Sequence, residues 1–178
     1  TEIAALKPDC VFVFFAGAGA LKYMKDYDAA GIKARTPLYG PGFLTDGVYK
    51  QAGAAAGGVK TTLHYADDLD LPLNKKFRAE FKKKTTRDAD VYAVQGYDTG
   101  TFLVQGLAAV QGDLGADKAL IKAWETAKID SPRGLFTLSK SHEPIQDIYL
   151  RQVWGGEERY LGVAHKALAD PGTGCKMA

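Results

Sequence analysis

An α/β fold built on a parallel sheet is predicted for this 178-residue chain, and three observations carry the prediction. Val11 to Phe15 is an unbroken apolar run, as expected of a strand buried on both faces. The turn Ala16-Gly17-Ala18-Gly19 follows and opens a helix in which Ala20, Met24 and Tyr27 fall on one face. A second short strand, Leu38-Tyr39, then runs into the turn Gly40-Pro41-Gly42. Strand, helix and strand in that order form a βαβ unit whose two strands end in glycine-rich loops at one edge of the sheet. In open α/β sheets, ligands bind at that edge.

The elements follow in order. TEIAALK has helical composition, with Ile3 and Leu6 on one side, and it stops before Pro8. That helix begins without a lead-in, so the chain is expected to be a fragment cut within an element. Gly31 is placed to end the next helix as its C′ residue. A short helix over about 44–51, a glycine- and alanine-rich turn over 53–58 and a third strand over about 59–65 come next. In that strand Val59, Thr61, Leu63 and Tyr65 share one face, and Lys60, Thr62 and His64 share the other. A polar crossing with Asp67, Asp68, Asp70 and Pro72 leads into three helices, over about 73–86, 89–111 and 117–128. Phe77 and Phe81 lie one turn apart on the first. Val94, Tyr97, Thr101, Val104 and Ala108 form a stripe on the second. Strands return at about 135–138, 147–154 and 157–163, and Gly155-Gly156 joins the last two as a hairpin. The middle helices need a sheet to cover and none stands near them in sequence. They are expected to pack on a sheet from a segment outside this chain or from a neighbouring copy.

Composition narrows the function. A hydrophobic share of 46% is ample for a core, and a formal charge of +2 speaks against a nucleic-acid partner. No apolar run approaches the ~20 residues that a spanning helix needs. Cys10 and Cys175 leave two readings open: a disulfide in an oxidising compartment, or a buried thiol at Cys10 with an exposed one in the tail.

Gly17 and Gly19 begin a G-x-G pattern, but Lys22 stands where a third glycine belongs and no acidic residue closes the next strand. A dinucleotide fingerprint therefore fails on two counts. Two readings of the loop remain. In one it is a solute site, where glycines let backbone approach the ligand and helix N-terminal amides favour an anionic group. In the other it is a tight strand-to-helix turn with no ligand. The basic run Lys75, Lys76, Arg78, Lys82, Lys83 and Lys84 reads as a solvated helix face over the Phe77–Phe81 contact. His64, His142 and His165 are widely spaced, with no H-E-x-x-H or C-x-x-C, so no metal is expected. No G-x-S-x-G surrounds Ser139 or Ser141, and Asp67, Asp68 and Asp70 lack a calcium-loop pattern. Trp124 and Trp154 read as packing residues. On the residues alone a catalytic Cys-His or Ser-His pair stays open, and no motif points to a cofactor.

The runs PDCVFVFFAGAGALKYMKDYDAAG, PLYGPGF and GVKTTLHYA, continued through VYAVQGYDTG and IYLRQVWGGE, resemble the second half of a type I periplasmic solute-binding protein. More narrowly they are similar to the branched-chain-amino-acid-type substrate-binding proteins of ABC importers, and the likeness spans nearly the whole chain. The resemblance implies a Rossmann-like, parallel-sheet fold in two lobes. Residues 1–65 and 134–178 would belong to the C-terminal lobe and the helices of 73–128 to the N-terminal lobe, whose first half and sheet lie outside this chain. It implies a periplasmic protein, not an enzyme and without a cofactor, that closes on a solute, releases it unchanged and docks on a membrane permease. One wall of the solute site would be Phe15, Gly17, Ala18, Gly19, Gly42 and Phe43. Amino-acid-binding members carry an acidic residue at the position of Gly42 and an aromatic at that of Ala18. The departure here favours an ammonium-free aromatic carboxylate, with Phe15, Tyr39 and Phe43 offering ring contacts, over a branched-chain-amino-acid-like solute. The rivals are a cytosolic effector-sensing domain of a transcriptional regulator with the same fold and a nucleotide-using α/β enzyme. Apolar helix faces left without a sheet are expected to promote self-association or exchange of segments between copies.

Overall fold

The computed structural model describes residues 2–174. In chain order the elements are α1 (Glu2–Leu6), β1 (Val11–Phe12), α2 (Gly17–Ala29), β2 (Leu38–Pro41), α3 (Tyr49–Ala52), β3 (Lys60–Leu63), α4 (Pro72–Thr85), α5 (Val91–Ala109), α6 (Asp117–Glu125), β4 (Thr137–Leu138), β5 (Pro144–Trp154) and β6 (Glu157–Leu168), with 3-10 turns at Gly42–Leu44 and Gly53–Ala56. They divide into two compact units. The first is 1–68 with 149–164, and the second is 69–148 with 165–178.

In the first unit β1, β2 and β3 run parallel, as the βαβ reading requires. β5 adds antiparallel to β3, with Thr61 opposite Arg151 and Leu63 opposite Tyr149. β6 then pairs with β5. The apolar face of α2 buries Ala20, Met24 and Tyr27 in one core with Leu38, Leu44, Val59 and Val153. Full burial of each large apolar side chain contributes about 1.5–3 kcal/mol. The Tyr27 hydroxyl lies in that core and donates to the Thr36 carbonyl at 3.0 Å. α2 ends where Gly31 takes φ +67 and donates its N–H to the Asp28 carbonyl at 2.9 Å. Alternation in β3 is as read from sequence: Val59, Thr61, Leu63 and Tyr65 are buried, and Lys60, Thr62 and His64 are half-buried.

Several expectations are corrected here. β1 is a two-residue edge strand and is not buried on both faces: Phe12 is 71% and Phe14 67% exposed. The helical layer covers one face of the sheet, so the phenylalanines that alternate away from it meet solvent. Cys10, at the start of this edge, is a free and exposed thiol for the same reason; Cys175 lies outside the described residues. The helix expected over 44–51 is only Tyr49–Ala52, and the turn expected over 53–58 begins as a 3-10 helix through Ala56. Trp154, expected to pack, is 71% exposed beside the hairpin turn. That turn itself is as expected, with Gly155 and Gly156 at φ +60 and +81, the left-handed pair a two-residue hairpin needs.

In the second unit Pro72 opens α4 at its first turn and Thr86 ends it in the left-handed region. Asp90 caps α5, accepting the Ala93 N–H at 2.9 Å. Phe77 meets Phe81 at 5.9 Å and Tyr97 edge-on at 5.1 Å between ring centroids. α6 packs on α5 through Trp124, which stacks on Phe102 at 5.6 Å and donates Nε1–H to the Phe102 carbonyl at 3.0 Å. Gly106 makes the stack possible, because a Cβ there would collide with the indole. The stripe expected on α5 is buried only at Val94; Tyr97, Val104 and Ala108 are exposed. A shallow hollow of about 440 Å³ lies along it over Gly96, Gly100 and Val104. The chain changes unit at 68/69, within the polar crossing, at 148/149, after β4 has paired with the first residues of β5 inside the second unit, and at 164/165, within β6.

Candidate functional site

The site is built at the edge of the first unit where β1 and β2 end. Phe12 stands opposite Tyr39, and Val13 donates its N–H to the Tyr39 carbonyl at 3.0 Å. Gly40 is pressed so closely on this strand that a Cβ there would lie 2.6 Å from the Val13 carbonyl oxygen. The loops that leave the two strands, 14–19 and 42–43, are therefore neighbours.

α2 begins in the first loop. Ala16 is its N-cap, with extended backbone and no side-chain cap, so no side chain takes up the amides of the first turn. Gly17, Ala18 and Gly19 are all exposed, and Gly17 has φ +54. A helix N-terminus carries partial positive charge, and here it faces solvent. Phe15 flanks it, 42% exposed, its ring 5.1 Å from that of Tyr23. A Cβ at Gly19 would rest 3.6 Å from the Phe15 ring, an ordinary contact. Phe43 is half-buried in the second loop. The edge thus offers amide donors between two aromatic residues.

Gly42 sits differently from its expected neighbours. It is buried, and a Cβ there would lie 2.5 Å from Arg151 Nη2 and 2.7 Å from Leu63 Cβ. Glycine is required at this position by what lies beneath it. Beneath it is a cluster that the sequence reading missed. Arg151 is completely buried, with Nη2 2.9 Å from Asp46 Oδ2 and Nη1 2.9 Å from Glu158 Oε2. Its Nη1 also donates to the Tyr65 carbonyl at 3.3 Å, and Nη2 to Thr61 Oγ1 at 3.1 Å. The Thr45 hydroxyl lies 2.6 Å from Glu158 Oε1 and 3.2 Å from the Gly42 carbonyl oxygen. Burial pushes the Glu158 carboxyl up to about 7; Arg151 and the Thr45 hydroxyl pull it down, and Asp46 and Asp67 add to the rise. At the hairpin end of the cluster Tyr49 donates to Glu157 Oε2 at 3.2 Å, and burial, then the Glu157 charge, raise its phenol. A trace of this cluster was present in the sequence: Tyr149, Arg151 and Val153 alternate on the inward face of β5.

The other sequence candidates take structural roles. Asp68 accepts the Tyr160 N–H at 2.9 Å and Asp70 pairs with Lys75 at 2.6 Å. Ser139 and Ser141 bond each other at 2.9 Å, and His142 pairs with Glu125 at 3.1 Å. Among the described residues, no group of three or more His, Cys, Asp or Glu side chains has metal-holding geometry. No described helix is long and apolar enough to cross a membrane.

Residues 1–157 match the family model described as periplasmic binding protein. The chain belongs to this family. This periplasmic binding protein chain is 35% identical over 149 residues to Leu/Ile/Val-binding protein homolog 6 of Brucella melitensis, a match covering 80% of this chain and 38% of that protein. Its structure superposes with TM-score 0.91 and 51% identity on an ABC-transporter solute binding protein of R. palustris in complex with benzoate, covering 98% of this chain and 48% of that one. A second solute binding protein, from Rhodopseudomonas palustris BisB5 in complex with 3,4-dihydroxy benzoic acid, matches with TM-score 0.83 and 30% identity over 96% of this chain and 48% of its own. The periplasmic binding protein chain therefore spans about half the length of the solved relatives and less than half of the curated one. The two solved relatives are solute binding proteins of ABC transporters, which agrees with the solute-binding reading of the sequence.

Proposed function

We propose that this chain is part of the solute receptor of an ABC importer, working outside the cytoplasm, and that its solute is an aromatic carboxylate. The carrying observation is the solvent-facing, uncapped start of α2 beside Phe15 and close to Phe43. Unpaired amides at a helix N-terminus suit a carboxylate, and two rings at the same edge suit a flat apolar body. The nearby acids that would suit an ammonium, Asp46 and Glu158, are turned inward onto Arg151. The benzoate and dihydroxybenzoate held by the two solved relatives support the same class. Phe15, Gly17, Ala18, Gly19 and Phe43 form one wall, with Gly42 as the spacer that seats the second loop over Arg151. The helices of 73–128 belong to the N-terminal lobe, where the exposed stripe on α5 packs on that lobe's sheet, and 1–65 with 134–178 belong to the C-terminal lobe. The opposing wall comes from residues outside this chain. Closure on the solute presents the receptor to a membrane permease.

A branched-chain amino acid is the second reading, favoured by the 35% identity to a protein named for Leu, Ile and Val binding. Calorimetry on the complete gene product separates the two. Benzoate is expected to bind with a Kd of about 1 μM or below, near −8 kcal/mol, and leucine at least about a hundredfold more weakly. Tight leucine binding with no measurable affinity for benzoate or its hydroxylated forms overturns the aromatic reading.

A further inference from the structure

Two carboxylates share the guanidinium of Arg151 in a site that water scarcely reaches: the side chains of Arg151, Asp46 and Glu158 are 0%, 9% and 7% exposed. A buried cluster with one cation and two anions carries surplus negative charge at a high cost, and taking up a proton removes it. Asp46 holds the guanidinium with both oxygens, at 2.9 and 3.4 Å, whereas Glu158 holds it with one. The other oxygen of Glu158 lies at the Thr45 hydroxyl, which has a single hydrogen and three acceptors in reach, Glu158 Oε1 at 2.6 Å, the Gly42 carbonyl at 3.2 Å and, farthest, Thr61 Oγ1 at 3.4 Å; the Thr61 hydroxyl itself donates to Glu158 Oε1 at 3.3 Å. With Glu158 charged, Thr45 donates to the carboxylate at 2.6 Å. With Glu158 protonated, its O–H donates to Thr45, and the Thr45 hydrogen is released to the carbonyl of Gly42. The proton on Glu158 is thereby read at the backbone of the loop that borders the open edge.

We propose that the Arg151–Asp46–Glu158 cluster is a proton-linked element of the solute site, in which capture of an anionic solute at the edge above Gly42 is accompanied by uptake of a proton from solvent onto Glu158. The inference rests on the proposed anionic solute. The step is a simple protonation, in which water supplies the proton and no covalent bond to the solute forms. An added negative charge at the edge raises the proton affinity of any carboxylate beneath it. Glu158 is the group poised to respond, since burial, its leading perturbation, already holds it close to neutrality. The charged and titratable groups around it are Asp46, Asp67 and Arg151, with Tyr49 and Glu157 at the hairpin end. Among these the single positive contribution to Glu158 is Arg151, and Asp46 already engages it.

The test is calorimetric titration of the complete gene product with benzoate from pH 6 to 8.5, in pairs of buffers that differ in ionisation enthalpy. Wild-type protein is expected to take up as much as one proton per benzoate near and above neutral pH, with affinity falling by up to about tenfold per pH unit there. Glu158→Gln, which mimics the protonated carboxyl, is expected to bind with no proton uptake and an affinity flat in pH. Equal proton counts and parallel pH profiles for the two proteins overturn the proposal. If neither protein binds benzoate at any pH, the aromatic reading is lost, and the unfolding profiles without ligand decide the inference. The folded-state proton affinity of Glu158 is raised, so its contribution to stability is present below its ordinary value of 4.5 and is lost as pH climbs through about 7. Wild type losing stability relative to Glu158→Gln between pH 5 and 8 supports a proton held at Glu158, and curves that stay parallel overturn it.

Discussion

Arg133 in the second unit and Arg151 in the first are both buried, and they are held in different ways. Arg133 Nε lies 2.7 Å from Asp98 Oδ2, and its guanidinium stacks 4.0 Å from the centre of the Phe136 ring. That is one cation on one carboxylate, wedged against an aromatic face on the segment after α6. Arg151 faces Asp46 and Glu158 together and lies under Gly42 at an edge open to solvent. A charge-balanced pair under a ring serves packing and fixes how the 131–136 segment meets α5. A cluster with a surplus carboxylate, one hydroxyl away from the loop that borders the open edge, responds to charge placed outside it. Buried ion pairs alone are weak evidence of stability, so the contrast is better judged by what each pair does when it is broken.

The largest effect is expected at Arg151. Arg151→Met leaves two carboxylates in the core without their cation, and the loss of unfolding free energy should reach or exceed the upper end of the ~3–5 kcal/mol seen when one partner of a buried pair is removed. Arg133→Met strands one carboxylate and should cost about 3 kcal/mol. Lowering the pH from 8 to 5.5 protonates the stranded acids, so part of the Arg151→Met loss should return. Denaturant titration at the two pH values checks both, and equal losses at Arg133 and Arg151 with the same pH response would erase the distinction. A smaller effect is expected at Gly42. Gly42→Ala forces its new methyl against Arg151 Nη2 and the Leu63 side chain, and overpacking of this kind costs about 1–3 kcal/mol. An unchanged melting temperature would mean that the guanidinium moves aside freely and is not pinned by its two acids.

Much of the fold was legible because its signals are local. The Ala20–Met24–Tyr27 face, the alternation from Val59 to Tyr65, the stop at Gly31 and the Gly155-Gly156 hairpin are each set by residues within a few positions of one another. The burial of β1 was misread because an apolar run looks the same whether one or both faces are covered, and the helical layer covers one. The site was legible in part. Adjacent loops at one edge followed from the βαβ order, and Phe15, Gly17, Ala18, Gly19 and Phe43 stand there. The cluster beneath them did not show, because it joins Asp46 to Arg151 across 105 positions and Thr45 to Glu158 across 113. Gly42 was read as a place for a ligand to approach, when the space beside it belongs to an arginine far along the chain.

The claim that the open end of β1 and β2 holds the ring of an aromatic carboxylate is tested most directly by Phe15→Ala in the complete gene product, titrated with benzoate beside wild type. Phe15 is a half-exposed ring in the loop that follows an edge strand, so the melting temperature should stay close to wild type, while removal of an aromatic contact raises the Kd by about tenfold or more. Unchanged benzoate affinity in the Phe15→Ala protein would contradict the account.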